Sequence, residues 1–434
     1  MTRFQPPRGT TDFLPEEMSM RQYMLDTIRR VFESFGFEPL DTPAFESWEL
    51  LSKKGGGGEA IKDEIYYFRD KSDRELGLRF DLTVPLARVV ANNPNLLKPF
   101  KRYQAGKVWR YDRPQAGRMR EFVQMDADIV GSEKMDADAE CIAAAAEALR
   151  RLGFRDFEVR LNARKILNGL VEFADIPEKK APAVFRILDK LEKKPRSEIL
   201  ADLKKAGIGA SRVNRLMKAI GERGRPSKML ESMKKMLDGI TKAEEGLKEL
   251  GEIAALAKPC GFEDNLVIDF SLVRGLDYYT GPIFEITVKA GKNVGSVAGG
   301  GRYDKLISLY EGNDTPATGI SLGIERIYEI MKSEKMFDSQ KHAGRVFVVS
   351  VNDDVKMKAV EIAHQLRSAG IAAESELTGR DIRKQMDYAN RKGVPHVIVI
   401  GPKEVRSGKY TLKDMKTGKE ASLTFEALVK KLKK

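Results

Sequence analysis

The stretch from Lys101 to Gly131, KRYQAGKVWRYDRPQAGRMREFVQMDADIVG, constrains the fold more than any other. β-Formers alternate with polar residues from Tyr103 to Tyr111, Arg113-Pro114-Gln115-Ala116-Gly117 carries turn chemistry, and the alternation resumes from Glu121 to Asp126. The pattern predicts two strands joined by a polar loop. Arg110, Arg113, Arg118 and Arg120 would then project from one hairpin, beside Phe122, Asp126 and Asp128. A guanidinium presents a fixed donor fork that matches phosphate oxygens, so the hairpin reads as a polyphosphate grip. The competing reading is a solvated basic edge strand.

A chain of 434 residues has room for two or three domains and a large core. No apolar run approaches the roughly 20 residues of a membrane span, and the first residues, MTRFQPPRGT, lack the apolar region of a signal peptide. The two cysteines, Cys141 and Cys260, are far apart and form no CxxC pair, so the expected setting is a reducing cytoplasm, without disulfides or a cysteine-based zinc site. The three histidines, His342, His364 and His396, all fall late, so chemistry in the first three quarters uses no histidine side chain. The net charge of +12 is uneven. Residues 164–259 hold 22 Lys and Arg against 14 Asp and Glu, and residues 343–434 hold 19 against 11, so each region carries +8 and the remainder −4. Two basic appendages on a slightly acidic body suggest a bound polyanion, nucleic acid first among them. Ordinary lysine-rich solubility competes with that reading.

Apolar spacing predicts a helix from Pro15 to Phe35, ended by Gly36, and then a proline-bearing strand, Gly36 to Phe45, at a sheet border or an interface. Gly55 to Gly58 read as a loop, Tyr66 to Phe68 and Leu76 to Phe80 as a strand pair, and Val84 to Ala91 as a helix. An alanine-rich helix follows at Ala137 to Leu152, and a strand at Phe154 to Leu161. Residues 164–259 turn lysine-rich, helical and glycine-broken before strands resume at Leu266 to Phe270, Phe284 to Val288 and Gly295 to Ala298, which marks an insertion. Helices are expected at Tyr303 to Tyr310 and Leu322 to Lys335, and a linker at Lys332 to Gly344. Beyond it, alternating strands and helices predict a small α/β domain with a mostly parallel sheet.

Three glycine-rich patches remain: Leu272 to Gly281 with Arg274, Asp277, Tyr278 and Tyr279; Val297 to Asp304 with Gly299, Gly300 and Gly301; and Ala317 to Arg326. Each alone also fits a turn with a helix cap. Neither GxxxxGK[ST] nor GxGxxG occurs, so phosphates would be gripped by side chains.

Together these segments resemble the three signature motifs of class II aminoacyl-tRNA synthetases: Gly36 to Phe45 with Pro43, Tyr103 to Asp128, and Gly319 to Arg326. Arg274 to Tyr279 and Gly299 to Asp304 resemble the two peptides of the histidyl-tRNA synthetase family. The resemblance implies an α+β fold, with an antiparallel catalytic sheet in residues 1–163 and 260–335, a helical insertion at 164–259 and an α/β anticodon-binding domain at 343–434. It implies activation of L-histidine with ATP, transfer to the 3′ end of tRNA(His), Mg²⁺ entering with ATP, no zinc, and a homodimer through the first motif.

On this resemblance Arg110, Asp112, Arg118, Phe122 and Arg326 bind ATP, with adenine between Phe122 and Arg326, and Arg274 faces Arg110 across the reacting groups. Asp81, Thr83 and Gln124 meet the α-amino group, Asp128 and Tyr279 the imidazole, with Tyr278 and Tyr303 completing the pocket. Arg113 and Gln115 resemble positions that touch the tRNA acceptor end, and Arg380, Arg383 and Lys384 would face the anticodon; surface-loop and solvated-helix readings compete for these five. Asp81 and Asp128 depart from the glutamates that many family members carry. Three other readings compete: a catalytically silent relative, the regulatory subunit of ATP phosphoribosyltransferase; a related synthetase such as the threonyl enzyme; and a general nucleic-acid-binding protein. The first lacks the terminal domain and degrades the Arg274 peptide, the second needs a Cys/His zinc site in a body that here has no histidine, and the third leaves the arginine hairpin unexplained.

Overall fold

The computed structural model describes residues 4–53, 64–111, 119–191, 194–274, 278–289, 295–310, 312–337 and 346–433. The chain divides into two compact units, Met1–Met336 and Phe337–Lys434.

The first unit opens with the helix Pro15–Ser34, whose apolar stripe buries Met24, Ile28, Val31 and Phe32. Gly36, at φ +77°, ends it: the Gly36 and Phe37 N–H groups turn back onto the Glu33 and Phe32 carbonyls, a closure that needs a left-handed residue. The expected proline strand is broken in two, β1 (Glu38–Pro39) and β2 (Phe45–Ser47). β1 is the edge of the main sheet, where a residue without an N–H is tolerated, whereas β2 joins β3 (Tyr67–Arg69) and β4 (Glu75–Leu78) in a separate small sheet of order β2-β4-β3.

β5 (Phe100–Trp109) and β6 (Glu121–Val130) are the two arms of the arginine hairpin. After the helix Met135–Arg151 come β7 (Phe157–Ala163), the two-residue β8 (Arg223–Gly224), β9 (Leu266–Asp269), β10 (Pro282–Val288), β11 (Ser296–Arg302) and β12 (Ala317–Gly323). The main sheet runs β1-β5-β6-β12-β11-β10-β7-β9-β8. Its six central strands, β5 to β7 in that order, pair antiparallel throughout. Residues 164–257 are chiefly helices, of which Arg164–Phe173 and Thr241–Ala257 approach closely because small residues line the contact: a Cβ on Gly169 would lie 2.6 Å from Ala243 Cβ. This region also lends β8 to the sheet edge, which sequence reasoning did not foresee.

The helix expected at Tyr303 to Tyr310 does not form. The Tyr303 N–H donates to Ala317 O, and Asp304 accepts from the Ala317 N–H and the Thr280 hydroxyl, so tertiary bonds hold the segment's start and leave i→i+3 turns ending in a 3₁₀ turn, Ser308–Tyr310.

In the second unit the sheet order is β14-β13-β15-β16-β17: β13 (Val346–Ser350), β14 (Ala373–Ser375), β15 (His396–Ile400), β16 (Tyr410–Asp414) and β17 (Glu420–Leu423). β13 pairs parallel with β14 and β15, but β15, β16 and β17 pair antiparallel, so the sheet is mixed rather than mostly parallel. The cause is a hairpin: Asp414 accepts from the Lys416 and Thr417 N–H groups and folds the chain back, forming β17, a strand the sequence reading lacked. The glycine loop at 55–58 and most of the expected linker lie outside the described residues.

Candidate active site

β6 runs between β5 and β12. Period-two alternation sends Phe122, Gln124, Asp126 and Asp128 to one face, while Met125, Ala127 and Ile129 are buried on the other, where Cys141 of the helix Met135–Arg151 meets the Ala127 carbonyl at 3.9 Å. The first set floors a cavity of about 520 Å³. Phe80, Asp81 and Thr83 wall it at the start of the helix Thr83–Asn92, Arg110 follows β5, and Arg274, Tyr278 and Tyr279 come from the segment before β10. Gly299 and Gly300 of β11, Gly319 of β12, and Glu325 and Arg326 of the helix Ile324–Ser333 complete the wall. Every sequence candidate for ATP or histidine within the described residues therefore lines one cavity. Asp112, Arg113, Gln115 and Arg118 lie outside the described residues.

One end is rich in guanidinium. Arg110 Nε donates to Phe80 O at 3.0 Å, and its Cζ lies 5.1 Å from the centre of the Phe122 ring. Arg326 Nη1 donates to Ser296 O at 2.6 Å. Arg274 Nε pairs with Glu285, a buried acid that also lies 3.3 Å from Arg160 Nη1. Gly299 leaves space for this arginine, since a Cβ there would lie 3.2 Å from Arg274 Nη1. Arg120 differs from its hairpin partners: it lies 4.3 Å over the Tyr111 ring and does not line the cavity.

The other end is acidic and deeply buried. Asp128 accepts from the Tyr303 hydroxyl at 2.5 Å, and its Oδ2 is 2.8 Å from Nη2 of the fully buried Arg102, its register partner on β5. That last contact is an ion pair without hydrogen-bond alignment. On the opposite strand, Gly319 makes the room: a Cβ there would lie 1.9 Å from Asp128 Oδ1. Burial pushes the Asp128 carboxyl up, with Arg102 and Tyr303 opposing. Asp126 is pushed up to about 7, chiefly by burial and further by Asp128 and Asp81, against the pull of Arg102 and Ser321. Asp81 Oδ1 accepts from the Val84 N–H at 3.0 Å and so caps a helix as well as facing the cavity. The Tyr278 and Tyr279 hydroxyls are 3.3 Å apart. Burial raises Tyr279 to about 12 and both Tyr278 and Tyr303 well above the usual phenol range, so all three remain protonated donors at neutral pH.

Sequence reasoning gave no site role to four residues here, although it noticed Asp126 beside the hairpin. Arg102 and Asp126 were signalled by the hairpin's own alternation, which puts Asp126 on the face of Gln124 and Asp128. Glu285 is an acid inside an apolar strand, a pattern that marks a buried charge. Asp189 lines the cavity from the end of the helix Ala181–Leu188 in the inserted region, and no local signal foretells it.

The model of the histidyl-tRNA synthetase family matches residues 9–327, and that of an anticodon binding domain matches residues 345–434. A histidine–tRNA ligase of Aeropyrum pernix is 43% identical over 430 residues, covering 99% of this chain and 97% of that one. The crystal structure of a histidyl-tRNA synthetase from Nostoc superposes with a TM-score of 0.87 at 30% identity, covering 100% and 99% of the two chains. A Bacillus halodurans structure described as an ATP phosphoribosyltransferase regulatory subunit/histidyl-tRNA synthetase has a TM-score of 0.77, covers 92% of this chain and 99% of its own, and at 24% identity shares the fold alone.

Proposed function

The chain belongs to the histidyl-tRNA synthetase family, and from that premise we propose that it joins L-histidine to ATP as histidyl-adenylate, releasing pyrophosphate, and passes the histidyl group to the 3′ end of tRNA(His). One observation carries the reading at the level of residues: a single cavity gathers a guanidinium-rich end, formed by Arg110, Arg274 and Arg326, and a buried end of carboxylates and protonated phenols.

Activation brings a carboxylate against an α-phosphate, two anions that repel. Arg110 and Arg274 screen both and hold them in line, so the step proceeds by positioning and charge stabilisation without a general base. Adenine lies between Phe122 and Arg326, while Asp112 and Arg118 extend the ATP grip. Magnesium would enter carried on the triphosphate; Glu325, one of the carboxylates that line the cavity, is already committed to Arg21 at 2.6 Å and to the Val123 N–H. Thr83, Gln124 and Asp81 take the α-amino group. Tyr279, kept protonated by burial, donates to one imidazole nitrogen, and Asp128, whose Oδ1 has a lone pair beyond the one Tyr303 uses, accepts from the other. A side chain without those two nitrogens leaves both groups unpaired, and this discriminates against it. The regulatory-subunit reading is disfavoured, because full-length relatives are ligases and the terminal residues match an anticodon binding domain.

We assign catalysis to residues 1–163 and 260–335, an inserted helical body to 164–259 and anticodon binding to 343–434, with Arg113 and Gln115 at the tRNA acceptor end. A homodimer through the first motif is supported by exposed aromatics on the small sheet: Phe45 is 51% exposed and stacks edge-on with the exposed Phe68 at 6.3 Å, and Tyr67 is exposed beside them on β3. We place the enzyme in the cytoplasm; among the described residues no helix is long and apolar enough to cross a membrane. The deciding experiment is ATP–pyrophosphate exchange with each of the twenty amino acids in turn. Exchange should be strongest with histidine, and a stronger signal with another amino acid would overturn the assignment.

A further inference from the structure

We propose that Asp126 is a further substrate-binding residue that takes the substrate's α-ammonium group, together with Gln124, an inference that rests on the histidine-activating reading above. Asp126 is 3% exposed, lines the cavity, and its Oδ1 has no hydrogen-bond partner among the described residues. A buried carboxylate oxygen left without a donor is costly, and such an oxygen facing a ligand cavity marks where a donor belongs.

The neighbouring groups specify what kind of donor. Gln124 is two residues away on the same strand face, and its amide is oriented by donating Nε2 to Ser321 Oγ at 2.8 Å, which leaves Oε1 as a second buried acceptor without a partner. Residues i and i+2 of a strand are roughly 6.7 Å apart. A tetrahedral ammonium making two hydrogen bonds of about 2.9 Å bridges acceptors roughly 4.7 Å apart, a difference from the backbone spacing that the side-chain torsions of Gln124 and Asp126 can take up. A primary ammonium, with three donors and a positive charge, meets both acceptors at once.

Charge balance points the same way. Asp81, Asp126 and Asp128 converge on this end; of the buried cations near them, Arg102 makes its closest contact with Asp128 at 2.8 Å, and Arg79, which also attracts Asp126, gives its hydrogen bonds to the Lys107, Thr42 and Pro43 carbonyls. Asp128 is further occupied by the Tyr303 hydroxyl, and Asp81 Oδ1 by the Val84 N–H. Asp126 Oδ1 thus remains a buried oxygen without a hydrogen-bond partner among the described residues, at the same end of the cavity as the Asp81 and Gln124 assigned to the α-amino group.

The test separates the amine from the ring. Histidine-dependent exchange is measured on the wild type and Asp126→Asn, with two inhibitors: histamine, which keeps the ring and the amine, and imidazolepropionate, which keeps the ring and carboxylate but lacks the amine. Losing one charge-assisted hydrogen bond should raise the histidine KM and the histamine inhibition constant by roughly tenfold to a hundredfold. The ATP KM and the imidazolepropionate constant should stay within about threefold, the latter also reporting an intact pocket. An unchanged histidine KM, or equal losses for both inhibitors, would overturn the role of Asp126. Should the asparagine variant not fold, Asp126→Ser with calorimetric binding of the same two inhibitors gives the same contrast. A wild type that fails to exchange with histidine yet still binds histamine more weakly after Asp126→Asn would refute the parent reading and leave this one standing.

Discussion

Asp126 holds a carboxylate where the protein would be more stable without one. Its folded pKa of about 7 stands above the ordinary 3.8, with burial the leading cause and Asp128 and Asp81 adding to it, while Arg102 and Ser321 oppose. Between those values the folded state binds more protons than the unfolded state, so the group's favourable contribution is complete below about pH 4 and is lost as pH rises through 7. An amide has no such dependence. Asp126→Asn should therefore be more stable than wild type at pH 8, by an amount on the order of a few kcal/mol, with the gap closing towards pH 5. Denaturant unfolding at the two pH values checks this, and a variant less stable than wild type at pH 8 would contradict it. Stability and substrate binding would then respond oppositely to one substitution, as expected where a site is kept strained for function.

The hairpin β5–β6 is an element whose register matters as much as its residues. Arg102 faces Asp128, Gln104 faces Asp126 and Gly106 faces Gln124, so the buried cation arrives beside the buried acid only in this alignment. A slip of one residue would send Arg102 to the opposite face. Arg102→Met keeps the volume but leaves Asp128 uncompensated, which should destabilise by roughly 3–5 kcal/mol. Adding Asp128→Asn should recover 1 kcal/mol or more of that loss, by about the measure of coupled neighbours. Strict additivity in the double-mutant cycle would show that the two strands are not held in register by this pair. Element type in the hairpin was legible because ten-residue arms alternate strongly. The turns at 303–310 and the strand β17 were not, because the first is fixed by Ala317 and Thr280, remote in sequence, and the second by one aspartate folding the chain over Thr417 and Gly418.

At the scale of the molecule, the two units have their own apolar cores. Val346, Val348, Ile362, Leu366, Ile398 and Leu412 close around the second sheet, whereas the cavity is lined entirely by residues of the first unit. Deleting residues 343–434 should leave histidine-dependent exchange within about threefold of wild type while aminoacylation of tRNA(His) falls steeply. Equal loss of both reactions would show that the first unit does not activate histidine alone.

The sequence by itself determined the order of motifs, the strand and helix character of most segments, and the identities of many of the residues that line the cavity, because those are carried by local periodicity and by short runs such as Arg274 to Tyr279. Only the tertiary structure decided which charges neutralise one another. Arg102 lies opposite Asp128, Glu285 stands behind Arg274, and Asp189 reaches the wall from an inserted helix, pairings set by strand register and by contacts between segments up to about a hundred residues apart. It also left Asp126 with an unengaged oxygen, which no pattern along the chain foretells, since a carboxylate's lack of a partner depends on everything that surrounds it.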